Sequence, residues 1–301
     1  MRALVVGAGL MGQGIAVEVS RGVEEVVLCD VSEDALERAR RGIELSLKTL
    51  EKHGMADRSV LNRITFTTRI EDGDAADIAF EAVPEDVELK GRVLRDIEAV
   101  VGENAPVCTN TSIIRVSDLA GFLERKKRFL GVHWMNPPHV MPLVEVVTSR
   151  YTDEGVAGRV AEFLRGIGKR VVVCREQSAV NRFSAAVLAE AERMMESDGM
   201  SFEEIDTVWR YHLGILYTLF GPLGNLDYVG LDTILLVSKY LSSTGERIAI
   251  PDWLVEKVER GELGVKTGRG IYSYDRDQSE MLVERIEKIL GMLRFLRTLE
   301  G

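Results

Sequence analysis

Short apolar runs alternate with longer amphipathic segments through the first half of the chain. The amphipathic segments repeat an apolar residue every three or four positions and predict helices over residues 32–52, 85–101 and 153–167. A further helix is predicted to end at Gly22. This alternation predicts an open sheet with helices on both faces, the doubly wound α/β (Rossmann) architecture. The apolar runs predict β-strands over residues 2–6, 23–30, 64–68, 77–83, 106–110, 129–132, 143–147 and 169–174.

The second half of the chain is predicted to be helical almost throughout. From Val180 the apolar residues fall at helical spacing as far as Gly199, and the pattern continues over residues 202–212 and 232–241. We therefore predict an α/β domain over residues 1–178 and an all-α domain over residues 179–301. The second domain is too helical to bind a nucleotide alone, so we expect it to cover the substrate.

Composition limits the classes of partner. With 301 residues, of which 46% are hydrophobic, the chain is long enough for two cores. A formal charge of −10 argues against nucleic acid or an anionic membrane surface, since both are bound by basic faces. No apolar run reaches the roughly 20 residues of a membrane span. Met1 leads into a strand without a signal peptide, so we expect a cytoplasmic protein.

The three cysteines, Cys29, Cys108 and Cys174, each lie within or at the end of an apolar, β-branched run. An odd and scattered set of this kind is typical of reduced, buried thiols. We therefore expect neither a disulfide framework nor a metal site.

A glycine-rich turn, GAGLMGQG, follows the first predicted strand. Gly7 permits a tight turn, Gly9 lets the backbone approach a pyrophosphate, and Gly12 allows the next helix to pack closely on the strand. Leu10 and Met11 open that helix, whose free N–H groups and dipole favour negative charge. Strand, turn, helix and second strand follow in register, and together they predict a dinucleotide site.

Asp30 ends the second predicted strand, eighteen residues after Gly12. Its carboxylate can accept hydrogen bonds from the adenosine ribose and would repel a 2′-phosphate, which favours NAD over NADP. The alternative is that Asp30 caps the following helix. Ser32 is the better cap, because Glu33 and Asp34 then lie in the first turn.

Residues 131–147, GVHWMNPPHVMPLVEVV, contain the most informative polar side chains. His133 ends one apolar run, and Glu145 lies inside the next, where a carboxylate is costly to bury without a partner. A neutral imidazole oriented by a carboxylate can take a proton from an alcohol near neutral pH. The pair predicts general acid–base chemistry with His133 as the base. His133 as a purely structural histidine is the alternative.

Polar residues also fall at the carboxyl ends of neighbouring predicted strands, namely Glu81, the Asn110–Ser112 segment and His133. In an open parallel sheet, ligands bind outside these ends. One serine at a strand end is commonly a helix cap, but three polar groups at successive ends predict a site.

Seven segments resemble, in order, those of the L-3-hydroxyacyl-CoA dehydrogenase family. The resemblance implies an NAD-binding Rossmann domain, followed by a helical domain like the C-terminal domain of 6-phosphogluconate dehydrogenase, in a homodimer. It also implies oxidation of an L-3-hydroxyacyl-CoA in fatty acid metabolism. The matching segments are GAGLMGQGIA (7–16), EAVPEDVELK (81–90), TNTSII (109–114), GVHWMNPPHVMPLVEVV (131–147), VNRF (180–183), GPLGNLDYVGLD (221–232) and GVKTGRGIY (264–272).

The resemblance implies roles residue by residue. His133 matches the catalytic base and Glu145 the carboxylate that orients it. Ser112 matches the serine that hydrogen-bonds the substrate 3-oxygen, and Asn181 matches an asparagine that helps to hold the acyl group. Ser46 matches a serine that contacts CoA. The positions that match contacts to NAD are Asp30, Glu85, Lys90, Asn136 and Lys266.

Three residues, His139, Asn181 and Lys266, have alternative interpretations. His139 follows two prolines and has no carboxylate partner in the family pattern, so we interpret it as structural or substrate-lining. Asn181 could cap the helix that it begins. Lys266 lies in a glycine-rich loop and could be a solvated surface lysine.

The sequence departs from the family pattern at several positions. Residues 176–179 (Glu-Gln-Ser-Ala) stand where the family has a Pro-Gly-Phe turn, which changes the approach to Asn181. His53 stands where the family commonly has a lysine for the CoA phosphates. Trp134 and Met135 replace smaller or phenylalanine-like residues, and the run 209–219 is bulkier than in the family. Together these departures predict an unusual acyl pocket.

These departures keep other functions open. Dehydrogenases of free hydroxy acids, similar to L-gulonate dehydrogenase and carnitine dehydrogenase, share the His–Glu pair and the glycine turn. A non-catalytic protein that kept the NAD-binding fold is a third hypothesis, against which Ser112, His133, Glu145 and Asn181 argue together. The sequence does not specify the length of an acyl chain.

Overall fold

One mixed β-sheet forms the centre of the first part of the chain in a computed structural model, which describes residues 1–55, 58–244 and 249–300. The strand order is β3-β2-β1-β4-β5-β6-β7-β8, and neighbours are parallel except the antiparallel pair β6 and β7. The predicted doubly wound sheet is confirmed, with an antiparallel pair that the pattern had not predicted. The strands are β1 (Arg2–Val6), β2 (Glu25–Cys29), β3 (Ile64–Thr67), β4 (Ile78–Glu81), β5 (Val107–Thr109), β6 (Phe129–Trp134), β7 (Leu143–Thr148) and β8 (Arg170–Arg175).

Helices cover both faces of this sheet. They are α1 (Leu10–Val19), α2 (Glu33–Lys52), α3 (Val87–Val100), α4 (Val116–Leu119) and α5 (Glu154–Gly166), with α6 (Ala179–Asp198) following β8. Apolar side chains of α1, α2 and α5 form the core on one face, and those of α3 and α4 form it on the other. Because both faces are covered, the central strands are apolar on both sides.

The ends of these elements follow local chemistry. Ser32 caps α2 by accepting a hydrogen bond from the N–H of Ala35 at 3.2 Å, so Asp30 is not the cap of this helix. The predicted fourth strand, 77–83, was too long. Its observed ladder with β1 stops at the pair Val6 and Glu81, because the next residue of β1 begins the glycine turn.

The cysteines are all free thiols. Cys29 and Cys108 are buried, as expected, and burial together with the charge of Asp30 raises the pKa of Cys29 to about 11. Cys174 is only half-buried, because β8 is the edge strand of the sheet. The prediction of full burial was wrong for Cys174.

The chain divides into two compact units, residues 1–188 and 189–301. The predicted continuous helix over 202–212 is interrupted by a π-helical turn, Trp209–Leu213, across which Trp209 packs edge-on against Tyr217. In the described part of the chain, no helix is long and apolar enough to cross a membrane. The second unit contains α7 (Phe202–Val208), α8 (Gly214–Phe220), α9 (Pro222–Val229), α10 (Leu231–Ser243), α11 (Asp252–Glu259) and α12 (Gln278–Glu300).

One buried carboxylate joins the two glycine-containing motifs of the second unit. Asp227, which is 1% exposed, accepts hydrogen bonds from the N–H groups of Ile271 and Tyr272 at 2.9 Å each and from the Tyr274 hydroxyl at 2.8 Å. A Cβ on Gly264 would lie 2.2 Å from the Asp227 carbonyl oxygen. The Asp227 carboxylate of segment 221–232 therefore fixes the backbone of segment 264–272.

Replacing this anchor tests its contribution to stability. Asp227→Asn keeps the volume but turns an N–H₂ group toward buried donors, so we expect the free energy of unfolding to fall by about 3 kcal/mol. Urea denaturation of the whole chain measures it. The matched control is Asp232→Asn, which removes the exposed pair with Lys266 and should cost less than about 1 kcal/mol. Equal losses in the two variants would contradict the anchoring role.

Candidate active site

The glycine turn lies between β1 and β4, where the order of strands reverses and open α/β sheets bind ligands. Gly7 has a φ of 105°, and a Cβ there would lie 2.6 Å from the carbonyl oxygen of Ala82. A Cβ on Gly12 would lie 1.8 Å from the Gly7 carbonyl oxygen. Both positions therefore require glycine for steric reasons. A Cβ on exposed Gly9 would meet no neighbour, so the backbone there is open to a ligand.

The start of α1 fits a pyrophosphate group. No side chain caps this helix at Gly9, and the first hydrogen bond of the helix runs from Gln13 N–H to the Gly9 carbonyl. The N–H groups of Leu10, Met11 and Gly12 therefore have no partner within the helix and suit an anion.

Asp30 lies directly beside this turn. One carboxylate oxygen accepts the N–H of Ala8 at 2.8 Å, and the other accepts the N–H of Ser32 at 3.0 Å. These two amides fix the carboxylate at the end of β2. It is half-buried and keeps lone pairs available for a ribose hydroxyl.

The antiparallel register of β6 and β7 places His133 directly opposite Glu145. Directly paired residues project from the same face of a sheet. His133 Nδ1 lies 3.0 Å from Glu145 Oε2, and the two residues are 6% and 1% exposed. The structure thus brings the predicted pair together, and it places His133 inside a strand and not after one.

Glu145 has further partners at the start of α6. Its Oε1 accepts the Val180 N–H at 2.9 Å and lies 3.7 Å from Cys174 Sγ. Burial by itself would raise the pKa of Glu145, but hydrogen bonds from His133, Ser178 and the Val180 amide outweigh it and hold the pKa below its ordinary value. The ionised carboxylate therefore orients His133 through Nδ1 and leaves Nε2 free to exchange a proton.

Ser112 faces the other ring nitrogen. Its Oγ lies 3.1 Å from His133 Nε2. A single oxygen of Glu85 holds the loop that carries this serine. It accepts the Thr111 hydroxyl at 2.5 Å and the N–H groups of Ser112 and Ile113 at 2.9 and 3.0 Å. Burial opposes ionisation of Glu85, but these bonds lower its pKa overall.

Lys90 supports Glu85 from inside the protein. Its ammonium group is 1% exposed and lies 2.8 Å from Glu81, 3.3 Å from Glu85 and 3.1 Å from the Val83 carbonyl oxygen. Glu81 is completely buried, and burial raises its pKa although Lys90 opposes the shift. Glu81 thus ends β4 as expected, but its carboxylate is bound inside the protein by Lys90 and by the Thr109 hydroxyl.

Asn181 closes the arrangement. It is the third residue of α6, its N–H donates to Ser178 Oγ at 3.0 Å, and its side-chain Nδ2 donates to the Ser112 carbonyl oxygen at 2.5 Å. Ser178 therefore occupies the capping position, and the alternative of Asn181 as the cap is wrong. A ring of contacts runs from Ser112 through His133 and Glu145 to the start of α6, and through Asn181 back to Ser112.

The missing Pro-Gly-Phe turn is replaced by a charged residue in left-handed backbone conformation. Glu176 has a φ of 62°, and its carboxylate accepts the N–H groups of Ser117 and Arg150 at 3.2 and 3.3 Å. These bonds hold a conformation that is costly for a residue other than glycine.

The other predicted site residues lie outside the ring. Asn136 is exposed in the loop after β6, and Ser46 is half-buried on α2. Lys266 lies in the second unit, where it pairs with Asp232 at 2.5 Å, so it is not simply solvated. Trp134 is 1% exposed and packs edge-on against Phe80 in the core. Because its side chain projects from the opposite face of β6 to His133, the expectation that Trp134 shapes an acyl pocket was wrong.

His139 differs from His133 in its surroundings. It is half-buried, its Nδ1 has no hydrogen-bond partner, and burial, Lys169 and Arg21 together hold its pKa below the usual range. No carboxylate is bonded to it. This geometry agrees with the structural interpretation of His139.

Three further residues hold the ring in place, of which Ser178 was not predicted, whereas Asn110 and Thr111 were predicted only as strand-end polar groups. Thr111 bonds Glu85, Ser178 bonds α6 and Glu145, and Asn110 Oδ1 accepts the Trp134 N–H at 2.9 Å. For Ser178 a signal was present, since a serine immediately before an amphipathic run is a typical helix cap. Among the described residues, no group of three or more histidine, cysteine or acidic side chains could hold a metal ion.

Comparison with known proteins matches both parts of the chain to family models. Residues 2–177 match the 3-hydroxyacyl-CoA dehydrogenase NAD binding domain, and residues 179–274 match the C-terminal domain of the same enzyme. The chain is 35% identical to a 3-hydroxybutyryl-CoA dehydrogenase of Mycobacterium tuberculosis, over 90% of this chain and 97% of the relative. It is 31% identical to a 5-formyl-3-hydroxy-2-methylpyridine 4-carboxylate 5-dehydrogenase of Mesorhizobium japonicum, over 97% of both chains.

A solved structure is similar over the whole length. The crystal structure of a 3-hydroxyacyl-CoA dehydrogenase from Archaeoglobus fulgidus is 51% identical, with a TM-score of 0.89, and the match covers 98% of this chain and 99% of that one.

The lowered pKa of Glu145 predicts how stability depends on pH. Because the folded value lies below the ordinary 4.5, the ionised carboxylate contributes stability that is fully present above about pH 4.5 and is lost as the pH falls through the folded value. We expect Glu145→Gln to unfold more easily than wild type by about 2 kcal/mol at pH 7. This difference in the free energy of unfolding between wild type and Glu145→Gln should become smaller as the pH falls below about 4.5.

Urea titrations between pH 7 and about pH 3, which extend well below the ordinary pKa of a glutamate, measure this difference. The control is Glu44→Gln on the exposed face of α2, which should show a small gap at every pH. A gap for Glu145→Gln that does not change with pH would contradict the role of ionisation.

Proposed function

This chain belongs to the 3-hydroxyacyl-CoA dehydrogenase family, and we propose that it catalyses the reversible, NAD-dependent oxidation of an L-3-hydroxyacyl-CoA to the 3-ketoacyl-CoA. The supporting observation is the line of contacts from Ser112 Oγ to His133 Nε2 and from His133 Nδ1 to Glu145. A base in contact with a hydroxyl on one side and a carboxylate on the other suits removal of a proton from an alcohol.

In this proposal His133 is the general base. Its Nε2 accepts the proton of the substrate 3-hydroxyl, and the Glu145 carboxylate stabilises the imidazolium ion that forms. In reduction the imidazolium returns the proton to the alkoxide. Ser112 donates a hydrogen bond to the same substrate oxygen, and Asn181 holds the Ser112 backbone. Bound NAD supplies the acceptor for the hydride at its nicotinamide ring.

We assign the cofactor contacts in two groups. The glycine turn and the first turn of α1 bind the pyrophosphate, and Asp30 binds the adenosine ribose, which favours NAD over NADP. Glu85, Asn136 and Lys266 are assigned as further contacts from their match to the family pattern. Lys90 is satisfied by protein acceptors, so it acts on the cofactor through Glu85.

The proposed CoA contact lies on α2. Ser46 is half-buried there, and exposed His53 ends the helix in place of a lysine. Lys52 is the nearest alternative cation for the CoA phosphates, since Arg58 lies 3.8 Å from Glu51 and is partly neutralised. We propose that residues 179–301 cover the substrate and form a homodimer, and that the enzyme acts in cytoplasmic fatty acid metabolism.

A dehydrogenase of a free hydroxy acid is the second candidate. The relative from Mesorhizobium japonicum matches 97% of the chain, and its name describes a pyridine carboxylate without CoA. His53 in place of a lysine also favours a substrate without the CoA phosphates. The His133–Glu145 pair serves either substrate equally well, because in the proposed reaction it acts only on the hydroxyl group that loses its proton.

The substrate is tested by following NADH absorbance. We expect oxidation of NADH with acetoacetyl-CoA and little with acetoacetate, and we expect little reduction of NAD with gulonate-type hydroxy acids, because the CoA group contributes binding energy at α2. A control with NADPH in place of NADH tests the proposed preference for NAD over NADP. Turnover with the free acids alone would replace the first candidate by the second, and no turnover with any substrate would favour a non-catalytic NAD-binding protein.

The base is tested by a pair of histidine variants. His133→Gln should bind NADH as wild type does and lose turnover by about 10³-fold, since general base catalysis typically contributes 10²- to 10⁴-fold. His139→Gln is the matched control and should keep turnover within a few-fold of wild type. Fluorescence titration gives NADH binding, and initial rates give turnover. Full activity of His133→Gln would show that the base is elsewhere.

A further inference from the structure

A second buried ion pair joins α1 to the loop that follows β6. Lys169 and Glu18 are 7% and 2% exposed, and their charged groups are 2.7 Å apart. The same ammonium group donates to the carbonyl oxygens of Pro138 at 2.7 Å and Met141 at 3.0 Å. Three acceptors use all three N–H bonds of the lysine, which offsets the cost of burying its charge.

The loop concerned, residues 135–142, is called the proline loop below. It packs against one face of α1, since a Cβ on Gly14 would lie 2.7 Å from Pro138 Cδ and 3.0 Å from His139 Nδ1. Gly14 and Glu18 are four residues apart and so share this face of the helix. Glycine permits the close approach, and Glu18 provides the charge that Lys169 binds.

The proline loop has few bonds of its own. Its internal backbone hydrogen bonds run from Val140 and Met141 N–H to the Pro137 carbonyl oxygen, and at its end the Pro142 carbonyl oxygen accepts the Arg170 N–H at 2.8 Å. Two of its other carbonyl groups are bound by Lys169, which itself lies immediately before β8. Lys169 therefore ties three elements together at the edge of the sheet where β6 ends.

We propose that Lys169, paired with Glu18, is a positioning residue for the cofactor site. It fixes the proline loop against α1, whose N-terminal turn is the pyrophosphate site, and thereby sets the position of Asn136 relative to that turn. The inference rests on the proposed NAD-dependent function and on the assignment of Asn136 as a cofactor contact. It gives a role to two buried charges that the proposed reaction does not use.

The protein contains a matched control for this arrangement. Arg128 is also buried, donates to the carbonyl oxygens of Gly102 and Ala105 at 2.7 and 3.0 Å, and lies 3.9 Å from Glu98. It also donates to the Glu98 carbonyl oxygen at 3.1 Å, and so, like Lys169, it is a buried cation that binds backbone carbonyl groups and lies near a carboxylate. Because it precedes β6 and its acceptors precede β5, it lies at the opposite edge of the sheet from the glycine turn.

The test compares NADH binding by the full-length Lys169→Met and Arg128→Met variants. We expect Lys169→Met to raise the Kd for NADH by about tenfold, a typical coupling between connected residues, and Arg128→Met to leave it unchanged. Both should lower the urea midpoint. An equal change in Kd for the two variants, or none for Lys169→Met, would overturn the proposal.

A double-mutant cycle with Asn136→Ala tests the route of the effect. If Lys169 acts through Asn136, the double variant should bind NADH about as weakly as the weaker single variant. Additive losses, or an Asn136→Ala variant with unchanged Kd, would overturn the inference. Neither result affects the assignment of His133, which turnover decides, whereas a wild-type protein that binds no NADH would refute the proposed function itself.

A milder variant keeps the test valid if Lys169→Met does not fold. Glu18→Gln keeps the shape and an oxygen acceptor for Lys169 but removes the negative charge, so a smaller rise in the Kd for NADH is expected. Glu98→Gln is its control at the Arg128 site. An unchanged Kd in Glu18→Gln, with a lowered urea midpoint, would mean that the pair only stabilises the fold.

Discussion

Burial of the Glu145 carboxylate is the constraint on which the site depends. An ion with 1% exposure is tolerated only when several donors surround it, and here they come from β6 and from the start of α6. The same bonds that stabilise the charge also fix the His133 ring and the first turn of α6. Because Asn181 lies in that turn and bonds Ser112, satisfying one buried charge places the rest of the ring. Local stability and chemical geometry therefore have the same physical origin.

Much of this could be predicted from sequence, because burial on both faces leaves long apolar runs and the glycine turn has a steric signature. The pairing of His133 with Glu145 was predictable from the cost of an unpaired carboxylate. The antiparallel arrangement of the two strands that carry these residues was predictable too. Residues 135–142 are too few for the crossover that parallel strands need, so β6 and β7 have to be antiparallel. Antiparallel pairing then places these two residues side by side.

The buried cations could not be predicted in the same way. Lys90 and Lys169 are ordinary polar positions in the pattern, and nothing local distinguishes them from exposed cations nearby such as Arg92 and Arg170. Their acceptors include backbone carbonyl groups of distant loops, which only the complete fold brings together. Burial of a lysine is thus a tertiary property. The replacement of Pro-Gly-Phe is similar, since Glu176 keeps its left-handed backbone through bonds to residues 59 and 26 positions away.

The proposed reaction and the recognition of its substrate depend on different residues. In the proposal the ring acts on one substrate oxygen and one proton, and none of its contacts involves the group attached to the oxidised carbon. The choice between a thioester and a free acid therefore has to be made elsewhere, and the proposed CoA contact, Ser46, lies on α2, which His53 ends. The hydrogen bonds of the ring include neither residue. A substitution in the ring exposes or unpairs Glu145, whereas a substitution at Ser46 or His53 leaves those bonds intact.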